Sequence, residues 1–248
     1  LENYSKSKFY SAGTILRNKA PINITQHCIM AESVQSSSQI ENANVIERPT
    51  IENIKTQYDR DINGNTFFCP KQKNKGKAGL MLEGLLGIPT SSACLDCEDG
   101  ELKAFPQTKA TARSRLSKPY GLGEGDYIAS QTVAITMMKP SELLTIPFES
   151  SRLYKKISNV MFTPYVRTDD HIEWNDYTIF NKEHPLWTEI QKDYETIQAY
   201  YAEHGITKSR IGKYLQVRTK GRGKGAPKTH AFYFRRQFLI SIFVNKKQ

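Results

Sequence analysis

Nowhere in the chain do about 18 apolar residues follow one another, which excludes a membrane-spanning helix of ordinary length. The start, LENYSKSKFY, has neither an initiating methionine nor the apolar stretch of a signal peptide, so an upstream part of the polypeptide is expected. Four cysteines, Cys28, Cys69, Cys94 and Cys97, are too few and too scattered for a disulfide framework, which points to a reducing, cytoplasmic setting. A zinc or redox reading of Cys94-x-x-Cys97 lacks its second half, because His27, Cys28 and Cys69 stand isolated in the sequence. GLGEGDY, Gly121 to Tyr127, lacks the following Lys-Ser/Thr and the strand-and-helix frame of a phosphate loop, and is expected to be a turn. Internal repeats are missing. No Ser-His-Asp grouping stands out, and His171, His184, His204 and His230 are expected on the surface or at helix ends.

The most informative absence is that of acid. From Gly205 to the C-terminus there are twelve Lys or Arg and no Asp or Glu, while the preceding residues hold 23 basic against 25 acidic. The net charge of +10 is therefore a property of the tail. A solvated face normally mixes both signs, so this segment reads as a surface for a polyanion. A polybasic membrane-surface patch is the alternative, and the tail carries neither a strongly amphipathic helix nor a lipidation signal to support it.

With 38% hydrophobic residues, the chain of 248 can fill one core and would be thin for two. Residues 1–65 are polar and poorly periodic and remain unassigned, with QSSSQIENAN a loop; residues 66–248 are expected to form the domain. KGKAGLMLEGLLGI, Lys75 to Ile88, spaces Leu82, Leu85 and Leu86 helically, with Gly87 as a stop. GELKAF, QTVAITMMK and SNVMFTPYV read as strands. LWTEIQKDYETIQAYYAEHG is a helix with the stripe Leu186, Ile190, Tyr194, Ile197 and Tyr201, closed by Gly205. The mixture predicts an α/β fold, a mixed β-sheet flanked by helices.

Within CLDCEDGELK, Glu101-Leu102-Lys103 has the Glu-x-Lys pattern of metal-dependent nucleases, in which a carboxylate holds Mg²⁺ on a phosphate and the lysine along the same face steadies the attacking water. Such a site needs another upstream carboxylate. The candidates Asp96, Glu98 and Asp99 are crowded within five residues of Glu101.

Taken in series, KGKAGLMLEGLLG, GELKAFP, YKKISNVMF, IGKYLQVRTKG and AFYFRRQF resemble the MutH family of GATC-specific endonucleases over about residues 70–243. The resemblance implies a PD-(D/E)xK nuclease core with a DNA-binding cleft, Mg²⁺, and double-stranded DNA containing GATC as partner. It further implies that Lys75 and Lys77 belong to a first DNA-contacting loop, and that Arg218 and the loop carrying Lys220, Arg222 and Lys224 enter the major groove. There an arginine can bond guanine O6 and N7 together. Tyr233 matches a tyrosine near the adenine. Alternation along the strand turns it away from Phe232 and Phe234, toward a cleft rather than the core.

The departure from the family lies at its first catalytic aspartate, which counting back from Glu101 places at Cys94, a thiol that cannot serve as a hard oxygen ligand for Mg²⁺. Asp96 could stand in only through a tighter connection. Glu83 resembles the helix glutamate that supports the metal. On this reading Glu83, Asp96, Glu101 and Lys103 form a vestigial site, and the chain looks like the C-terminal effector half of a two-domain type II restriction endonuclease. Its N-terminal catalytic domain would belong to the same polypeptide, with Mg²⁺ serving the whole enzyme and a dimer on DNA possible. The rivals are an active Mg²⁺ endonuclease using Asp96 and Glu101 as metal ligands, and a basic nucleic-acid module without sequence preference.

Overall fold

Val, Ile, Phe and Thr gather in a few stretches that are too short for helices and are bounded by Gly, Pro, Asn and Asp, and these become strands. The computed structural model describes residues 47–70, 76–90, 93–205, 208, 210–220 and 229–244. The chain divides into two compact units, Leu1–Ala43 and Asn44–Gln248, and every described residue falls in the second. Its elements run α1 (Ile51–Asp61), β1 (Thr66–Phe68), α2 (Lys77–Leu85), β2 (Glu101–Lys109), β3 (Tyr127–Ala129), β4 (Val133–Met138), α3 (Pro140–Thr145), α4 (Arg152–Ile157), β5 (Asn159–Thr168), β6 (His171–Trp174), β7 (Thr178–Asn181), α5 (Trp187–His204), β8 (Leu215–Lys220), β9 (Thr229–Phe234) and α6 (Arg236–Val244).

Two sheets result. The larger has the order β1-β6-β5-β2-β3, with β7 also on β5; β2 and β5 run parallel and every other pair is antiparallel, so the sheet is mixed. The smaller has the order β4-β9-β8 and is antiparallel. The central strands are buried on both faces, as a sheet with helices on either side requires. Along β5, Val160 and Phe162 enter a cluster with Ile190, Tyr194, Phe234 and Phe238, while Met161 and Tyr165 enter another with Ile54, Tyr58, Leu82 and Leu102. Helices α1 and α2 thus cover one face, and α4, α5 and α6 the other.

The polar stretch through residue 65 contains α1, which belongs to this unit. Ile51, Ile54 and Tyr58 form its buried stripe, and the Thr50 side chain caps it by accepting from Asn53 N–H at 3.2 Å. Helix α5 ends at Gly205 in the left-handed conformation, φ 64°, where a side chain would be strained. Gly121 and Gly125 in GLGEGDY also have positive φ, and Asp126 accepts from Gly123 N–H at 2.7 Å, the geometry of a turn.

Candidate nucleic-acid cleft and its carboxylate–lysine floor

A cleft of about 1530 Å³ opens between α2, β2, α4 and the small sheet. Its charged lining is one-sided: Lys77, Lys103, Arg152, Lys156, Arg167, Arg218 and Lys220 are set against Glu83 alone. A concave surface of a single sign focuses the field and attracts a polyanion.

The floor is built from the start of β2. Gly100 precedes it because a Cβ there would lie 2.5 Å from Asn159 O and 2.6 Å from Ile51 Cγ1, so only glycine lets β2 enter beside β5 and α1. Glu101 and Lys103, two apart on a strand, share a face. Glu101 is fully buried and one carboxylate oxygen bonds the Lys103 ammonium. Lys103 Nζ also donates to Asp96 Oδ2 at 2.9 Å, and Leu102 N–H donates to the same oxygen at 3.2 Å. It is therefore Asp96 that meets Lys103. Cys94 lies half-buried two residues upstream, and among the described residues its thiol makes no hydrogen bond to Glu101 or Lys103. The connection that brings Asp96 into reach is closed by Cys97 N–H donating to Gly100 O at 2.9 Å, and is tied to α1 where Asp99 Oδ1 accepts from Ile51 N–H at 2.8 Å.

Lys156 of α4 bonds the other oxygen of Glu101, so the carboxylate sits between two ammonium groups. Sequence reasoning missed this residue. The neighbouring Lys155 is exposed, and only the packing of α4 decides which lysine of the pair faces inward.

The electrostatics follow from this crowding. Burial works to raise the Asp96 carboxyl, but the Lys103 charge and the hydrogen bonds from Glu101, Lys103 and Leu102 outweigh it and hold Asp96 below its ordinary value. Burial pushes Glu101 up, against the Lys103 charge and with help from Asp96. Glu83 on α2 is raised too, by burial and then by the Asp96 charge. Burial opposes the Lys103 charge, yet Asp96 and Glu101 together keep its ammonium above its ordinary value. The fold thus assembles Glu83, Asp96, Glu101 and Lys103 into one coupled group and pushes two adjacent carboxyls in opposite directions.

Cys97 is fully buried and its thiol is pushed up to about 12, chiefly by burial and then by the carboxylates around it. Among the described residues no group of three His, Cys, Asp or Glu side chains is arranged to hold a metal ion. Mg²⁺, however, is commonly held by one or two carboxylates with water and phosphate completing its shell. Asp96 and Glu101 offer hard oxygens of that kind, and Mg²⁺ would have to take the place of an ammonium, since Lys103 and Lys156 hold the two oxygens of Glu101.

The wall of the cleft is the small sheet. Tyr233 faces the cleft while Phe232 and Phe234 are buried in the core. The Arg218 guanidinium lies 5.6 Å from the centre of the Tyr233 ring and donates to Thr132 Oγ1 at 3.1 Å. Strand β8 is anchored from behind by the buried Asp193 of α5, whose carboxylate accepts from the N–H groups of Lys213, Tyr214 and Leu215 at 2.6, 2.5 and 2.7 Å. Of the other residues expected to contact DNA, Lys77 and Lys220 line the cleft, whereas Lys75, Arg222 and Lys224 lie outside the described residues. Arg152 and Arg167, unremarked in the sequence, join them on the lining. No helix among the described residues is long and apolar enough to cross a membrane.

No family model matches the chain, and no curated protein matches it at a significant level. Among solved structures, a restriction endonuclease MvaI–cognate DNA substrate complex is similar with a TM-score of 0.36 and 14% identity, covering 77% of this chain and 93% of that one.

Proposed function

We propose that this chain is a Mg²⁺-dependent endonuclease that takes double-stranded DNA into its cationic cleft, with GATC, the site implied by the MutH resemblance, as the first target to test. The observation that carries the reading is the meeting of Asp96 and Glu101 on Lys103, which lines a cleft whose other charges are almost all positive. Asp96 and Glu101 would hold Mg²⁺, Glu83 would support them from α2, and Lys103 would orient the attacking water. A bound Mg²⁺ would stabilise charge developing on the phosphate and lower the barrier to its attack by water. Arg152, Arg167 and Lys220 would hold the backbone by charge, leaving Arg218 and Tyr233 toward the bases.

A second reading, a catalytically silent effector domain that binds GATC for a catalytic half elsewhere in the polypeptide, draws support from Lys156. Its ammonium takes the second oxygen of Glu101, and with Lys103 it leaves that carboxylate no exposed surface. Such a role would require DNA to bind two states of the whole enzyme unequally.

One experiment separates the two. The purified chain is incubated with a GATC plasmid and millimolar Mg²⁺, with gel-shift binding run in parallel. Cleavage that is lost in Asp96→Asn and Glu101→Gln but kept in Cys94→Ala is the expected result. An intact plasmid that is still shifted selects the effector reading, and absence of any shift removes both.

A further inference from the structure

We propose that Thr132 is a positioning residue that sets Arg218 for reading a guanine, so that the hydroxyl of a side chain touching no base governs sequence preference. The inference rests on the DNA-binding reading above and goes beyond it by naming what holds the reader in place.

Arg218 differs from the buried cations of the cleft. It is exposed, it makes no ion pair with a carboxylate among the described residues, and there its hydrogen-bond acceptor is Thr132 Oγ1 at 3.1 Å. The path of the side chain explains the contact. In the sheet order β4-β9-β8, Arg218 lies opposite Ala231 of β9, Tyr233 lies opposite Ala134 of β4, and Thr132 immediately precedes that strand. Residues two apart on a strand share a face, so Ala231 and Tyr233 stand side by side toward the cleft. The guanidinium therefore crosses β9 diagonally, passing 5.6 Å from the Tyr233 ring centre, and ends on Thr132. The register of β4 on β9 shifts between Ala134 and Thr136, and a bulge of this kind re-aims the residues at one end of a strand.

The arrangement restrains the guanidinium through the Tyr233 ring within cation–π range and, more directionally, through a hydroxyl that accepts from one of its nitrogens. One donor goes to Thr132 and the remainder of the fork is left for a ligand. A planar fork held in this way matches guanine O6 and N7, which must be bonded together in one plane, whereas a phosphate accepts a cation from many directions. Without the hydroxyl, Arg218 keeps its charge and its attraction to DNA but loses its heading.

The test uses a duplex library randomised over its central positions, bound by the full chain and sequenced, with wild type, Thr132→Val and Thr132→Ser compared. Valine removes the acceptor and serine keeps it. Wild type should enrich a motif containing guanine. Thr132→Val should lose roughly three- to tenfold of the enrichment at one guanine position while the other positions hold, and Thr132→Ser should restore it. The same motif at the same strength from Thr132→Val overturns the inference, and so does an even loss at all positions. A wild-type motif other than GATC removes the GATC target but leaves the inference to the Thr132→Val comparison. No motif at all from wild type removes base reading by Arg218 and with it the inference, while plasmid cleavage still judges the nuclease.

Discussion

The floor and the wall of the cleft treat charge in opposite ways. At the floor, the side chains of Asp96, Glu101, Lys103 and Lys156 are 27, 0, 18 and 12% exposed and satisfy one another. On the wall, Arg218 and Lys220 are exposed and find no carboxylate among the described residues. Buried charges interact strongly and shift each other's proton affinity, whereas exposed charges are screened by water and salt and act chiefly on a ligand that displaces both. On the proposed reading the floor would serve chemistry on one bond and the wall would hold and sort the molecule that carries it.

The comparison breaks most visibly at Lys103. If the chain is the proposed nuclease, Lys103→Ala should lower plasmid cleavage by about 10²- to 10⁴-fold, because it removes the group that would orient water and leaves two carboxylates facing each other. Gel-shift binding should fall far less, and an equal loss in both assays would mean that the floor is merely part of the binding surface. Next comes Lys156→Met. The buried Glu101 then keeps only one counter-charge, and breaking a buried pair on one side costs about 3–5 kcal/mol, to be read from urea unfolding. A cost within about 0.5 kcal/mol would place Lys156 among the screened surface charges instead.

How much of this was legible in the sequence depends on the range of the forces involved. Glu101 and Lys103 could be placed together because strand periodicity alone puts residues two apart on one face. Tyr233 could be turned from Phe232 and Phe234 for the same reason. Asp96 could not be placed, because its position is set by the Cys97–Gly100 turn, by the anchoring of Asp99 on α1 and by Leu102 N–H, none of which has a sequence signature. Helix α1 carries just three buried side chains among eleven residues, too sparse a stripe to stand out in a polar stretch. In α6, QFLISIF is rich in residues favoured in strands, yet it is a helix buried on most sides, where packing decides rather than propensity.

Two smaller effects sharpen the contrast. Asp96 has a folded-state value below the ordinary carboxylate, so the stability it lends is present above about pH 3.9 and fades as pH falls through the lowered value. Glu83 and Glu101, held above their ordinary values, act in the other direction: the stability linked to their protonation is lost as pH rises through those values. Asp96→Asn removes the first contribution, so its thermal midpoint should climb less than that of wild type between about pH 2 and 5. An identical climb would mean that Asp96 is not charged against Lys103. On the wall, Lys220→Ala should weaken GATC and scrambled duplexes alike and reduce the slope of log K against log salt by about 1. An unchanged slope would place Lys220 off the phosphate path.

The ion pair between Glu101 and Lys156 joins residues 55 apart in sequence, across the long excursion that separates the parallel strands β2 and β5. Closing so long a loop loses chain entropy before any contact is gained, and contacts of this kind form slowly. On the ribosome, β2 emerges well before α4, so for an interval Glu101 exists without its second ammonium. The carboxylate–lysine floor is therefore completed only by a late, long-range closure, and its full set of ion pairs arrives together with the cooperative folding of the sheet.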